Sequence, residues 1–215
     1  MDQMKKKIQS YLIFVTGPCR FIIFILVPLM TAGLQIYMKP GNPVVAAVIY
    51  AMILLMAEVM LDGWIFGGIA MKGAGQLAYI NSSRRGLDVM RSALTVSMLR
   101  QLVEGAAILT VCGAVFYFQY GSRILSGEYV CIYVNIFLLT YILTVLTLSV
   151  TRFFDGIGVC MMAAWIASTL LSLGLYIVDS YIAVPILFVT AAVGSVAHVK
   201  IMMRRVKEGY CDKAD

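Results

Sequence analysis

The sequence predicts an all-α integral membrane protein, one membrane domain over residues 1–215 with six transmembrane helices. Three observations predict it. Hydrophobic residues make up 61% of the chain and charged residues 13%, where soluble domains are nearer half apolar and about a quarter charged. Six runs are long and apolar enough to cross a bilayer, which takes about 20 residues. The basic residues also cluster at one set of run ends, as topology determinants do.

The runs cover residues 21–38, 43–71, 102–120, 129–150, 156–178 and 181–203. Lys39-Pro40-Gly41-Asn42-Pro43 is a tight turn, and the links at 121–128, 151–155 and 179–180 are short. Only 72–101 is long and polar enough to form an element outside the membrane. With the N-terminus inside, fifteen basic residues fall on the inner side, and only Lys39 and Arg123 fall outside. That places both termini in the cytoplasm and the chain in the cytoplasmic (inner) membrane. Tyr37, Tyr117, Tyr120, Tyr129, Tyr133, Tyr176 and Tyr181 fall near the outer ends, where an aromatic belt belongs. A net charge of +6 is absorbed by this pattern, so no nucleic-acid partner is expected.

Before the first run, Ile8, Tyr11, Leu12 and Val15 recur at helical spacing behind Lys5-Lys6-Lys7, and Gly17-Pro18 interrupts them. The spacing predicts an interfacial helix over about 5–16, lying on the inner leaflet. The alternative is an early start to the first span with a kink. The first apolar stretch runs too far and lacks a small-residue cleavage site, so no cleavable signal is expected. A cytoplasmic tail is expected over about 204–215. The five cysteines are scattered without CxxC spacing, which argues against disulfides and zinc.

The second run is the anomaly. As a straight helix it is about 43 Å long at 1.5 Å per residue, against a hydrocarbon core of about 30 Å. It must tilt, protrude or break, and Gly63 and Gly67-Gly68 are the candidate break points. Glu58 and Asp62 lie in it, four apart and so on one helix face. Carboxylates inside an apolar run are costly and mark candidate polar sites. They face either a cavity or the inner interface, where Arg91, Arg100 or lipid headgroups would pair them. Glu104 stands one turn after Arg100, and an Arg100–Glu104 pair is the simplest account of it. Asn135 lies above Thr140, Thr144 and Thr147, whose hydroxyls either bond back to their own helix or line a polar path. Glu58, Asp62, Glu104 and Asn135 are the candidate intramembrane polar site.

The stretch 81–94 predicts a short cytoplasmic amphipathic helix between spans two and three. Ser82 or Ser83 caps its start. Leu87, Met90 and Leu94 form an apolar stripe, and Arg84, Asp88 and Arg91 lie on another face. Such a helix suits docking onto a cytoplasmic partner; otherwise it rests on the membrane with its arginines on lipid phosphates. No Walker A motif, metal-ligand cluster or nucleophile–base pair is present, so no catalytic residue, bound metal or resident cofactor is expected, and the chain is not read as an enzyme. The lone His198 reads as an interfacial residue.

An interfacial helix, six spans, a cytoplasmic helix after span two and no nucleotide motif together resemble the permease subunits of ABC-2 type transporters. Tyr79-Ile80-Asn81-Ser82-Ser83 through Ala93-Leu94-Thr95-Val96-Ser97 resembles the family's loop. There a Leu-Pro-x-Ser element often precedes the third span, and here Thr95 occupies the proline position. The resemblance implies a dimer of two permeases, identical or paired with a relative, bound to cytoplasmic ATPases that hold ATP and Mg. Ser83, Arg84, Arg85, Leu87, Asp88, Met90, Arg91 and Leu94 would form the coupling interface. Export of a peptide, drug or other amphipathic compound would follow. Two rival classes stand beside it: an ion-coupled secondary transporter using Glu58, and a non-transporting scaffold.

Overall fold

Lipid offers no partner to a backbone amide, so an apolar run must close its hydrogen bonds within itself. The computed structural model obeys this throughout. It describes residues 2–15, 17–38, 43–71, 80, 82–153, 157–174 and 179–208, and among them there is no strand. The N-terminal helix α1 covers Asp2–Leu12. A short helix α2, Gly17–Phe21, passes through a π-helical turn, Ile22–Leu26, into α3, Val27–Met38. Next come α4, Pro43–Met71, and α5, Arg84–Tyr120. A 3₁₀ turn, Gly121–Leu125, leads to α6, Gly127–Thr151. The last two helices are α7, Ile157–Gly174, and α8, Ala183–Glu208.

Four of these helices are long and apolar enough to cross a membrane: Val44–Phe66 within α4, then α5, α6 and α8. The chain is therefore a membrane-embedded helical protein. Shorter apolar helical structure is also present in Met161–Gly174 of α7. The run 17–38 stays helical throughout, but Pro28 cannot donate a backbone bond and crowds the preceding turn. The π turn before it absorbs the mismatch, with the Val27 amide donating to the Ile22 carbonyl.

Two sequence expectations are corrected. The amphipathic segment 84–94 is not a separate helix: it is the start of α5, which runs unbroken for 37 residues. Nothing in 95–101 breaks a helix, and Arg100 and Ser97 there meet side chains from α4 and from the end of α6. Nor does α4 break at Gly63, since it continues to Met71. Ser83 is the cap at the start of α5, its hydroxyl accepting from the Gly86 amide at 2.9 Å. Gly121 ends α5 at φ 73°, a conformation that glycine adopts without strain. Tyr133 is buried and stacks on Phe116. Most of the loop 72–81, the turn 39–42, the links 154–156 and 175–178 and the tail 209–215 lie outside the described residues.

The helix α6 is central and packs against α4, α7 and α8. Together with α5 these helices enclose the larger apolar core, which includes Tyr50, Leu55, Ile136, Leu148 and Leu171. A second apolar cluster sits beyond it. There α1 supplies Tyr11, the start of α5 supplies Met90, Ala93 and Leu94, and the end of α8 supplies Met202, Met203 and Val206. The helix α1 is separate, ends at Leu12 and packs along α5. The buried charges lie between these two clusters.

Candidate functional site

Two arginines organise the buried polar layer. Glu58 and Asp62 project from the same face of α4 that buries Ala51, Leu55 and Phe66 one or two turns away. Each carboxylate meets a guanidinium from a different helix. Arg100 of α5 grips Glu58 with both terminal nitrogens, Nη1 donating to Oε1 at 2.9 Å and Nη2 to Oε2. The same Nη1 donates to Glu104 Oε2, so the expected Arg100–Glu104 pair is present. The second guanidinium, Arg152, follows the last residue of α6. Its Nε donates to Asp62 Oδ2 at 2.9 Å and its Nη2 to Asp62 Oδ1. Nη2 also reaches Ser97 Oγ at 3.2 Å.

The third nitrogen of Arg152, Nη1, lies 2.9 Å from His198 Nε2. A guanidinium can only donate, so this ring nitrogen accepts and the imidazole proton sits on Nδ1. Nδ1 then donates to Ser149 Oγ at 2.7 Å, and that hydroxyl donates to the Val145 carbonyl at 2.7 Å. The Phe66 ring lies under the Arg152 guanidinium, 4.6 Å from its carbon to the ring centroid. Phe153 takes φ 72°, a left-handed conformation that costs a non-glycine residue about 1–2 kcal/mol. It is 1% exposed and meets Phe66 edge-on. The turn that strains Phe153 also directs Arg152 inward.

The surroundings of Arg100 are less complete. Among the described residues, Arg100 Nε, Glu104 Oε1 and both amide atoms of Gln101 are buried without a hydrogen-bond partner. Arg100 and Glu104 line a cavity of about 360 Å³ against Pro28, walled otherwise by Val103, Ala107, Ile108 and Val111. On the other side, Gln101 and Glu58 border a space of about 10 Å³ shared with Thr140 and Thr144, room for about one water. Three carboxylates face two guanidiniums, so the ionised layer carries one negative charge in excess. Tyr11 of α1 closes this layer from the end, its hydroxyl buried without a partner among the described residues. Burial pushes its phenol up to about 12, with Arg100, Glu58, Asp62 and Arg152 all close enough to act on it.

The structure thus brings Glu58, Asp62 and Glu104 into one polar layer. It does not bring Asn135 there. Asn135 is buried further along α6, its amide donating to the Ser180 carbonyl at 3.0 Å. Thr140, Thr144 and Thr147 donate to the carbonyls of Ile136, Thr140 and Leu143, tied to their own helix. In the coupling segment, Ser83, Arg84, Arg85, Asp88 and Arg91 are exposed and Leu87 is half-buried. Met90 and Leu94 are fully buried in the second cluster, where α1 covers them.

Sequence reasoning missed Arg152 and His198 as site residues. Arg152 was counted as an inner-side topology charge, and His198 as interfacial. One signal was available: Arg152 stands two residues past an apolar run, where its long side chain can fold back into the protein as well as outward to lipid phosphates. Comparison with protein-family models, curated proteins and solved structures finds no match for the chain.

Proposed function

We propose that the chain is the membrane-spanning permease subunit of an ABC-2 type exporter. It crosses the cytoplasmic membrane six times, with α2–α3 and α7 completing the set, and both ends are cytoplasmic. It works as a homodimer or heterodimer of permeases and moves a peptide, drug or other amphipathic compound. Energy comes from ATP and Mg held by a separate cytoplasmic ATPase.

The observation that carries the reading is the length of α5. At 37 residues it is about 55 Å long, well beyond a hydrocarbon core of about 30 Å. Its surplus is the basic first turns, with Ser83, Arg84, Arg85, Asp88 and Arg91 exposed. A rigid helix that joins such a surface to the buried Arg100 cluster supports mechanical coupling between a docked ATPase and the membrane interior. The test is co-purification. Arg84→Glu with Arg85→Glu should release a bound ATPase while leaving the detergent-solubilised permease folded. Full retention of the ATPase by that variant defeats the coupling assignment.

One observation favours a second reading, an ion-coupled transporter. Both Glu58 oxygens are held by Arg100, but Glu104 keeps one oxygen without a partner beside a cavity. In this reading Glu104, rather than Glu58, carries the proton or cation. Glu104→Gln should then abolish the pH dependence of uptake in ATP-free proteoliposomes. Unchanged pH dependence removes this alternative.

A further inference from the structure

A further concavity lies away from both arginine clusters, between α5 and α8. It encloses about 650 Å³, within the range of roughly 300–1,000 Å³ typical of small-molecule sites. Its floor is apolar, with Met98 from α5 and Val196, Val199 and Met203 from α8. Its rim is basic, with Arg91 from α5 and Lys200, Arg204 and Lys207 from α8.

The two characters are separated along the groove. The start of α5 packs with the end of α8, since Met90 and Leu94 share a cluster with Met202 and Val206. The helices are therefore antiparallel here. Arg91 lies toward the same end as Arg204 and Lys207, and Met98 lies toward the same end as Val196. One end of the groove is cationic and the other is greasy. On the greasy side the floor runs into an exposed strip of α8, where Val189, Val193 and Val196 recur at helical spacing with 59%, 63% and 58% exposure. Such a strip faces acyl chains when the helix is in a membrane.

Two of these cations, Arg91 and Lys200, are not neutralised by the described residues. Arg204 is paired with Glu208 at 2.7 Å. Arg91 and Lys200 make no side-chain hydrogen bond or ion pair to the described residues, and no carboxylate among those residues lines the groove. Basic pockets between membrane helices on the positive side suit anionic headgroups.

We propose that this groove binds an anionic phospholipid, with its phosphate between Arg91 and Lys200 and an acyl chain laid along Val199, Val196 and Val193. The occupant is a lipid rather than an acidic protein segment because Val196 of the groove's floor belongs to the exposed apolar strip of α8, with only the hydroxyls of Thr95 and Ser195 beside the apolar lining. The assignment rests on the membrane location alone and stands whether or not the chain is a permease.

The test reconstitutes the full chain into nanodiscs of phosphatidylcholine doped with phosphatidylglycerol and counts retained lipids by native mass spectrometry after extraction into detergent. Wild type should retain phosphatidylglycerol well above its share of the bilayer. At about fivefold per basic residue, Arg91→Gln with Lys200→Gln should lower that enrichment by more than tenfold. Arg84→Gln with Arg85→Gln, whose side chains lie outside the groove, should leave it unchanged. If the first variant does not accumulate, Val196→Trp fills the floor and should reduce retention of the anionic lipid. Equal retention of the two lipids by wild type overturns the proposal, and so does undiminished enrichment in the groove variants. Displacement of the lipid by millimolar inorganic phosphate assigns the groove to a free anion instead, and displacement by a poly-glutamate peptide assigns it to an acidic protein partner. Either result overturns the lipid assignment.

Discussion

The two buried arginines begin from the same chemistry and end differently. Both are paired with a carboxylate from one face of α4, and both lie in the layer between the two apolar clusters. Every nitrogen of Arg152 has a partner, in Asp62, Ser97 and His198, and Phe66 covers its face. Among the described residues, Arg100 keeps a partnerless Nε, next to a partnerless Glu104 oxygen and a wholly unsatisfied Gln101 amide. A buried charge is tolerated when its hydrogen bonds are complete and is costly when they are not. The difference teaches that the Arg152 cluster is a staple joining α4, α5, α6 and α8. The Arg100 cluster leaves polar atoms unsatisfied among the described residues and borders a cavity.

The largest test of that contrast is Arg152→Ala. It strands Asp62 and removes the donor to His198, so it should cost about 3–5 kcal/mol, read as a drop in thermal unfolding temperature in detergent. Removing both charges, as Arg152→Met with Asp62→Leu, should recover much of the loss. If Arg152→Ala unfolds at the wild-type temperature, the staple assignment is wrong.

A smaller effect is expected at the other arginine. Glu58→Gln leaves Arg100 with Glu104 and should cost about 1–3 kcal/mol. Glu104→Gln removes the excess carboxylate while Glu58 still grips Arg100 with both oxygens, so its cost should stay under about 1 kcal/mol. The order Arg152→Ala, Glu58→Gln, Glu104→Gln in unfolding temperature is the checkable outcome, and inversion of the last two would make Glu104 the main partner.

The smallest effect belongs to Tyr11, whose hydroxyl is buried without a partner among the described residues. Tyr11→Phe removes a desolvated polar group and should shift stability by no more than about 0.5 kcal/mol. Its signature is in pH. The phenol rises from 10.0 to about 12 because burial disfavours the phenolate. Between those values the unfolded chain loses a proton that the folded chain keeps, so the Tyr11 contribution to stability is present below pH 10 and falls as pH rises toward 12. Absorbance titration should show one tyrosinate fewer near pH 12 in Tyr11→Phe.

Much of the helical layout is legible in the sequence, because bilayer thickness imposes a length and an apolarity that a single run either meets or fails. The second run was readable to its ends, with α4 covering the predicted residues 43–71. Local pairs were readable as well. Arg100 and Glu104 are one helical turn apart, and their pairing needs only a helix. The start of α5 was misread for a different reason. An amphipathic stripe shows that a face is to be covered, not what covers it, and for Met90 and Leu94 the cover includes this chain's own α1.

What the sequence determined by itself is a membrane-embedded helical chain with two carboxylates on one face of an overlong helix. Only the tertiary structure decided their partners. Glu58 meets Arg100 across 42 positions and Asp62 meets Arg152 across 90. Those distances in sequence carry no information about contact. Which charges meet depends on the depth and rotation of separate helices, and these are set by packing around α6 rather than by the pattern of any one run.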